Sequence, residues 1–345
     1  MLHFTTYFDK NYLSRGIILY DSLKQYCNDF ELYILCLDDF TENYFKLNKQ
    51  SYPEVRTLLQ ADIEAADVEL KAAKENRNTI EYYFTLSPCL PLYLLKKYNL
   101  SHICSLDADI LFLSDPHLLF NYLNEYSIII TPHKFSPEIK AHEQFGEYNV
   151  SFQIFKNDGT GISCLENWRK QCIEWCDDTY DEINERFADQ KYLDAWMQNY
   201  PGKVKELFDN VSGLAPWNLN NFLIEKRDNF YYSNGERIIF YHFHHFKTLT
   251  KEIATNGFYF YRAKRNKAID HLYLEYWNKL SVLNKVSGNY KDEIKRTHLA
   301  DTSSLTSKLN NEGAAYVRLS KKIIRYVDFQ TLFGKIVKFI IIKNA

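Results

Sequence analysis

Across the first 135 residues, short apolar runs alternate with amphipathic stretches, and few architectures accommodate that order. An extended run at residues 2–7 leads through Asp9-Lys10-Asn11 into an amphipathic stretch carrying Ile17, Leu19, Tyr20 and Leu23. Glu31 to Leu37 is apolar almost throughout, as a strand buried on both faces must be. Residues 54–76, rich in Ala, Glu, Lys and Leu, predict an acidic surface helix, and residues 79–98 a helix interrupted at Pro88 and Pro91. A strand from Ile103 to Phe112 follows, then Ile128 to Thr131 after a short helix. This alternation predicts an α/β fold with a largely parallel sheet and helices on its faces. Ligands of such sheets gather beyond the carboxyl ends of the strands.

The 345 residues, 46% of them hydrophobic, can bury one large domain with an appendage or two modest domains. A net charge of -2 with 25% charged residues argues against nucleic-acid binding and against wholesale disorder. Sugar faces stack on aromatic rings, but the 16% aromatic content is equally explained by the codon bias of an AT-rich genome. No secretory signal or run of roughly 20 apolar residues is visible, so a cytoplasmic protein is expected. The seven cysteines are odd in number and lie mainly in apolar segments, which predicts reduced thiols. Cys172 and Cys176 read as buried thiols on one helical face rather than as a metal pair.

In Ser105-Leu106-Asp107-Ala108-Asp109-Ile110, two carboxylates stand two apart where an apolar strand meets its loop. On an extended backbone they point the same way, and two hard oxygen donors suit Mg²⁺ or Mn²⁺ beside a diphosphate. Buried carboxylates are expensive without a partner, and a cation is a natural one. Downstream, Phe240-Tyr241-His242-Phe243-His244-His245-Phe246-Lys247 reads as a strand with His242 and His244 on one face and His245 opposite. An imidazole here can complete a Mn²⁺ site, and Lys247 can neutralise a phosphate; a half-exposed strand edge explains the same residues. Asp189 in Arg186-Phe187-Ala188-Asp189-Gln190-Lys191 sits near a helix N-cap. Ala215-Pro216-Trp217-Asn218 is a rigid turn carrying a ring and an amide, useful for a sugar or merely structural.

These motifs, with Phe4-Thr5-Thr6-Tyr7 to Asn11-Tyr12, Glu81 to Pro88 including Thr85, Ser114-Asp115-Pro116 and Gly146 to Val150, occur in a fixed order over about residues 3–247. In that order the chain resembles GT-A glycosyltransferases of bacterial surface-polysaccharide synthesis, and is similar to the glycogenin and lipooligosaccharide galactosyltransferase class. The resemblance implies a Rossmann-like, nucleotide-diphospho-sugar transferase fold. It implies Asp107, Asp109 and His242 as metal ligands, with His244 the rival, and Lys247 as a pyrophosphate contact. Thr6, Tyr7, Asp9 and Tyr12 would meet the base, and Arg77 a phosphate or the acceptor. Where that class usually has Gly three residues after the metal histidine, this chain has His245, and Lys247 follows His242 by five residues rather than six.

The implied reaction moves a hexosyl unit from a nucleoside-diphosphate sugar to a glycan or lipid-linked acceptor. Thr85, Ala108, Tyr148, Asn149, Trp217 and Asn218 join the donor site. A retaining course places Gln190 near the anomeric carbon and Asp189 on the sugar; an inverting course makes Asp189 the base. A metal-dependent phosphoesterase or nucleotide-sugar hydrolase and a non-catalytic sugar-binding protein fit the same residues. The catalytic domain is expected over residues 1–262 and a helical extension over 263–345. From Tyr316 to Ala345, seven basic residues face one acidic, and Leu319, Ile323, Tyr326, Val327, Phe333, Ile336, Val337 and Ile340 share one side of a helical projection. That predicts a basic amphipathic helix, docked either on the domain or on an anionic inner-membrane face.

Overall fold

A computed structural model describes residues 1–286, 313–320, 323–331, 334–335 and 337–338. The chain forms two compact units. The first comprises Met1–Phe135, Lys140–Gly213 and Arg237–Tyr241; the second comprises Ser136–Ile139, Leu214–Glu236 and the chain from His242 onward.

The first unit carries strands β1 (Leu2–Phe8), β2 (Phe30–Cys36), β3 (Val55–Leu59), β4 (His102–Leu106), β5 (Ile110–Phe112), β6 (Ile128–Pro132), β7 (Tyr148–Lys156) and β8 (Val204–Glu206). Seven of them form one sheet in the order β3-β2-β1-β4-β7-β6-β8, with β5 outside it. The pairs β1–β2, β1–β4, β2–β3 and β6–β8 are parallel, and only β7 runs against its neighbours β4 and β6. Phe4, Leu32, Ile34, Ile103 and Phe155 are fully buried, as strands covered on both faces require. Helices Thr79–Tyr98 and Gly159–Glu174 supply Leu86, Leu90, Leu94, Leu165 and Trp168 to a core that also takes Ile103, Phe155 and Trp196. All seven cysteines are free and buried.

Three local expectations are corrected. Residues 55–59 are strand β3, not helix: Val55 and Thr57 favour a strand, and the Ala- and Glu-rich stretch behind them, helices Gln60–Ala66 and Val68–Ala73, masks so short an element. Helix Thr79–Tyr98 runs unbroken through Pro88 and Pro91. Its start is firm, because Asn78 accepts from the N–H groups of Ile80 (2.8 Å) and Glu81 (3.0 Å) while Glu81 accepts from Asn78 N–H. Burial of Leu86, Leu90, Leu94 and Leu95 outweighs the backbone bonds the two prolines delete. Ile103–Phe112 is two strands with a turn at Asp107–Asp109, not one.

In the rest of the chain, β9 (Ile224–Arg227) and β10 (Phe230–Ser233) are antiparallel and join β11 (Glu236–Arg237). Strand β12 (Phe240–His242) pairs with β5. The second unit then contributes β13 (Lys247–Thr250), β14 (Ile253–Thr255), helix Lys267–Val286, β15 (Ala314–Ser320) and β16 (Ile323–Asp328), the four strands making a sheet in that order. In place of the basic amphipathic helix expected from Tyr316, Ala314–Ser320 and Ile323–Asp328 are antiparallel strands paired with each other. Ala314 to Val317 are buried in succession, the pattern of a strand covered on both faces, and such a run also falls on a helical projection. Val317 and Val327 pack with Leu249, Ile253, Ala315, Phe329 and Val337. Phe333, Ile336 and residues 339–345 of that expected helix lie outside the described residues. No described helix is long and apolar enough to cross a membrane.

Candidate metal and donor site

The site begins with the turn that ends β4. Asp107 N–H donates to Ser151 O on β7 (3.0 Å), and Ile110 N–H to Asp107 O (3.3 Å), so the chain leaves the main sheet as β5. Beyond β5, Leu113 N–H bonds to Ile239 O (2.7 Å) and the Ser114 hydroxyl donates to Ile238 O (2.9 Å). Phe240 stacks on Phe152 at 4.6 Å between centroids. These contacts fix β12, whose last residue is His242. One donor atom each of Asp107, Asp109 and His242 then lies within 4.8 Å of the others, the one such group found among the described residues. The carboxylates converge because they bracket a turn, not because an extended strand points them one way.

The histidine segment also departs from a continuous strand. β12 stops at His242, and Phe246 N–H closes a turn onto Phe243 O (3.0 Å). His245 stands at φ +61°, a left-handed conformation that favours glycine, which accounts for the Gly usual at this position in the class the sequence resembles. His244 lies with its ring 5.4 Å from that of His242 but outside the group formed with the carboxylates.

Asp189 is 1% exposed and follows Ala188, itself at φ +47°. Trp168 Nε1 holds its main-chain oxygen at 2.8 Å, whereas its Oδ2 has no hydrogen-bond partner. Burial pushes its carboxyl up to about 7; Asp107 adds to the shift, and the Ser87 hydroxyl and neighbouring backbone N–H groups oppose it. The Ser87 hydroxyl is 3.0 Å from Tyr7 Oη. Burial, Asp189 and Asp107 hold the Tyr7 phenol well above its ordinary range, and burial with Asp109 raises Tyr12. Gln190 donates from Nε2 to Phe145 O at 2.9 Å. Gly146, at φ +138°, is required beside it: a Cβ there would stand 3.2 Å from Tyr148 O and 3.4 Å from Gln190 Cγ.

Other expected residues have structural employment. Arg77 caps helix Gly159–Glu174, reaching Ile173 O at 3.1 Å and Cys172 O at 3.5 Å. Thr85 bonds back to Glu81 O (2.8 Å), and it is Ser87, overlooked two residues on in the same motif, that meets Tyr7. Tyr148 donates to Glu206. Asn149 bonds Thr131 O (3.1 Å), Ser151 N–H (3.1 Å) and the Ser151 hydroxyl. Asp9 orders Asn11, and Asn218 Oδ1 accepts Ala215 N–H at 3.0 Å. Thr6 and Ala108 are buried, while Lys247 is exposed at the head of β13. Trp217 sets its ring edge-on at 5.4 Å to His242 and 5.2 Å to His244.

No protein-family model matches the sequence. The uncharacterized protein YfnD of Bacillus subtilis (strain 168) is 30% identical over 278 residues, spanning 79% of this chain and 87% of its own. The chain belongs to the YfnD family. YfnF of the same organism, also uncharacterized, is 28% identical over 250 residues, 70% of this chain and 80% of its own. Galactosyltransferase LgtC, solved with donor and acceptor sugar analogs, superposes with a TM-score of 0.50 over 81% of this chain and 95% of that one, at 10% identity. That likeness is one of fold, and it gives this YfnD-family chain the GT-A fold.

Proposed function

We propose that this YfnD-family protein is a divalent-cation-dependent glycosyltransferase, moving a hexosyl unit from a nucleoside-diphosphate sugar to a glycan or lipid-linked acceptor. The observation that carries the reading is the convergence of Asp107, Asp109 and His242 within 4.8 Å on a GT-A fold. One cation at roughly 2.1–2.2 Å from each donor holds them no more than about 4.4 Å apart, so a small inward turn of these side chains closes the group onto a single ion. Two carboxylates with one imidazole suit Mn²⁺ well and Mg²⁺ acceptably. When bound, the cation supplies positive charge to the diphosphate as the leaving group departs.

The protein's own groups position and polarise. Tyr7 and Tyr12, whose phenols sense Asp107 and Asp109, border the donor; the buried Asp189 holds sugar hydroxyls, and Gln190, anchored on Phe145 O, presents its carboxamide to the anomeric centre. Trp217 steadies the His242 ring, and Lys247 offers an exposed ammonium to phosphate. With these roles the transfer proceeds with retention. The carboxyl of Asp189, pushed up to about 7 by burial, favours a second course, inversion with Asp189 as base near neutral pH. A two-metal phosphoesterase finds less support, because the described residues hold a single such cluster.

The test is a panel of nucleotide-sugars screened with Mn²⁺ for release of nucleoside diphosphate and for thermal stabilisation. One donor should stand out in both measurements, with proton NMR of the product giving the anomeric course. Stabilisation by simple phosphate esters but by no nucleotide-sugar would overturn the proposal.

A further inference from the structure

The second unit contains a run of aromatic rings that leads away from the donor site. It starts at His242 and Trp217, each 3% exposed, and becomes progressively more open. His244 lies 5.4 Å from His242, His245 stacks on His244 at 4.3 Å and 20°, and Phe260 lies 5.8 Å from His245. Tyr261 backs the run, 5.9 Å from Trp217, 6.0 Å from His244, 5.6 Å from His245 and 4.9 Å from Phe260. At its outer end Tyr259 is 51% and Phe260 55% exposed, while Phe258 and Tyr261 on either side are buried and pin the turn.

The arrangement is held at a cost to the backbone. His245 keeps its ring at φ +61°, where a side chain is strained. Gly257, itself at φ +70°, makes the room, since a Cβ there would stand 2.9 Å from His245 Cβ. A glycine at 245 would relieve the strain and delete a rung. Two adjacent exposed aromatic residues likewise forgo the burial that such rings ordinarily gain.

We propose that the outer part of this run, from the half-buried His244 and His245 to the exposed Phe260 and Tyr259, is an extended acceptor subsite that packs against successive sugar rings of an oligosaccharide, so that the acceptor is a glycan chain rather than a single small alcohol. The inference rests on the glycosyltransferase reading and deepens it. Each pyranose has a face of C–H groups that packs on a ring's negative face and an equatorial rim of hydroxyls that needs hydrogen-bond partners. The neighbouring imidazoles of His244 and His245 and the phenyl and phenol rings of Phe260 and Tyr259 supply both, and the exposed Arg262 adds donors at the outer end. A lipid surface would favour an unbroken apolar patch, which two histidines in the middle of the run deny it.

The experiment uses the full chain with Mn²⁺ and UDP on a printed array of oligosaccharides of two to six sugar units. Wild type should bind at least one chain and bind its monosaccharide glycoside far less. Phe260→Ala, at an exposed position, should weaken that binding by about tenfold, and Phe260→Tyr should keep it. No binding to any array glycan, or equal binding by wild type and Phe260→Ala, overturns the proposal. So does loss of phosphatidylglycerol-vesicle binding in Phe260→Ala with glycan binding intact, which would make the rim a membrane contact. Donor turnover by wild type is scored separately. No turnover alongside length-dependent glycan binding sinks the glycosyltransferase reading and leaves the platform standing; turnover without such binding does the reverse.

Discussion

The turn at Asp107–Asp109 and the start of β7 at Tyr148–Ser151 are both polar, both mostly buried, and joined by the bond from Asp107 N–H to Ser151 O. They use their side chains in opposite ways. Along β7, Tyr148 gives its hydroxyl to Glu206, and Asn149 spends its amide on Thr131 and Ser151. At the turn, two carboxylates are brought together with an imidazole, and Asp189 is buried where it senses Asp107. Gathering negative charge in a desolvated place destabilises the fold, whereas satisfying an amide stabilises it. A region that accepts the first arrangement is built for a ligand, and one that shows the second is built for the fold.

The sharpest way to break the contrast is Asp109→Asn. It should lower Mn²⁺-dependent donor turnover by on the order of a thousandfold, while the metal-free melting temperature holds or rises because like charges are thinned. A folded Asp109→Asn protein with ordinary turnover would remove the metal site from the account.

Asp189 tests the same idea through pH. Its carboxyl is raised from 3.8 to about 7 in the fold, so between those values the unfolded chain releases a proton that the native state keeps. The resulting instability is absent below about pH 4, grows up to pH 7 and is complete above it, amounting to at most about 4 kcal/mol. Asp189→Asn should therefore melt higher than wild type without metal, by a margin larger at pH 8 than at pH 5. A margin independent of pH would mean that Asp189 is not held protonated by burial.

His242 sharpens the comparison at the level of one ring. His242→Ala should weaken Mn²⁺ affinity, measured with a nucleoside diphosphate present, by roughly 10–100-fold, and His245→Ala by much less. The reverse ranking would move the cation off the turn.

How far these regions could be read in sequence follows from the range of the forces involved. The parallel sheet was legible because β1, β2 and β4 carry apolar runs set by their own burial. Asp107 and Asp109 stood out because carboxylates in an apolar run are costly wherever the chain goes. That they sit on a turn was not legible, since it depends on β5 pairing with β12, more than 120 residues away. The pairing of β15 with β16 is local, but the two-sided burial that marks β15 as a strand also falls on a helical projection, and its other partner, β14, lies far off in sequence. The resemblance makes Arg77 and Asn149 ligand contacts, a role that rests on motif order; their bonds to a helix end and within a strand pair depend on tertiary structure and are not legible in the sequence.

Asn149 gives the smallest expected effect and the closest test of the difference. The β6–β7 register shifts between Ile129 and Thr131, and Asn149 pairs with Thr131 just past the irregularity. Its Nδ2 donates to Thr131 O, and its Oδ1 takes the N–H and hydroxyl of Ser151. Asn149→Ala would leave buried donors and an acceptor unsatisfied, at about 1–3 kcal/mol. Denaturant unfolding should show that loss with the m-value unchanged. The bond that steadies the acidic turn comes from the Ser151 main chain, not from the Asn149 side chain, so Mn²⁺ affinity should match wild type. If metal or nucleotide binding falls while stability holds, Asn149 belongs with the ligand-facing residues after all, and the line drawn between turn and strand must move to include it.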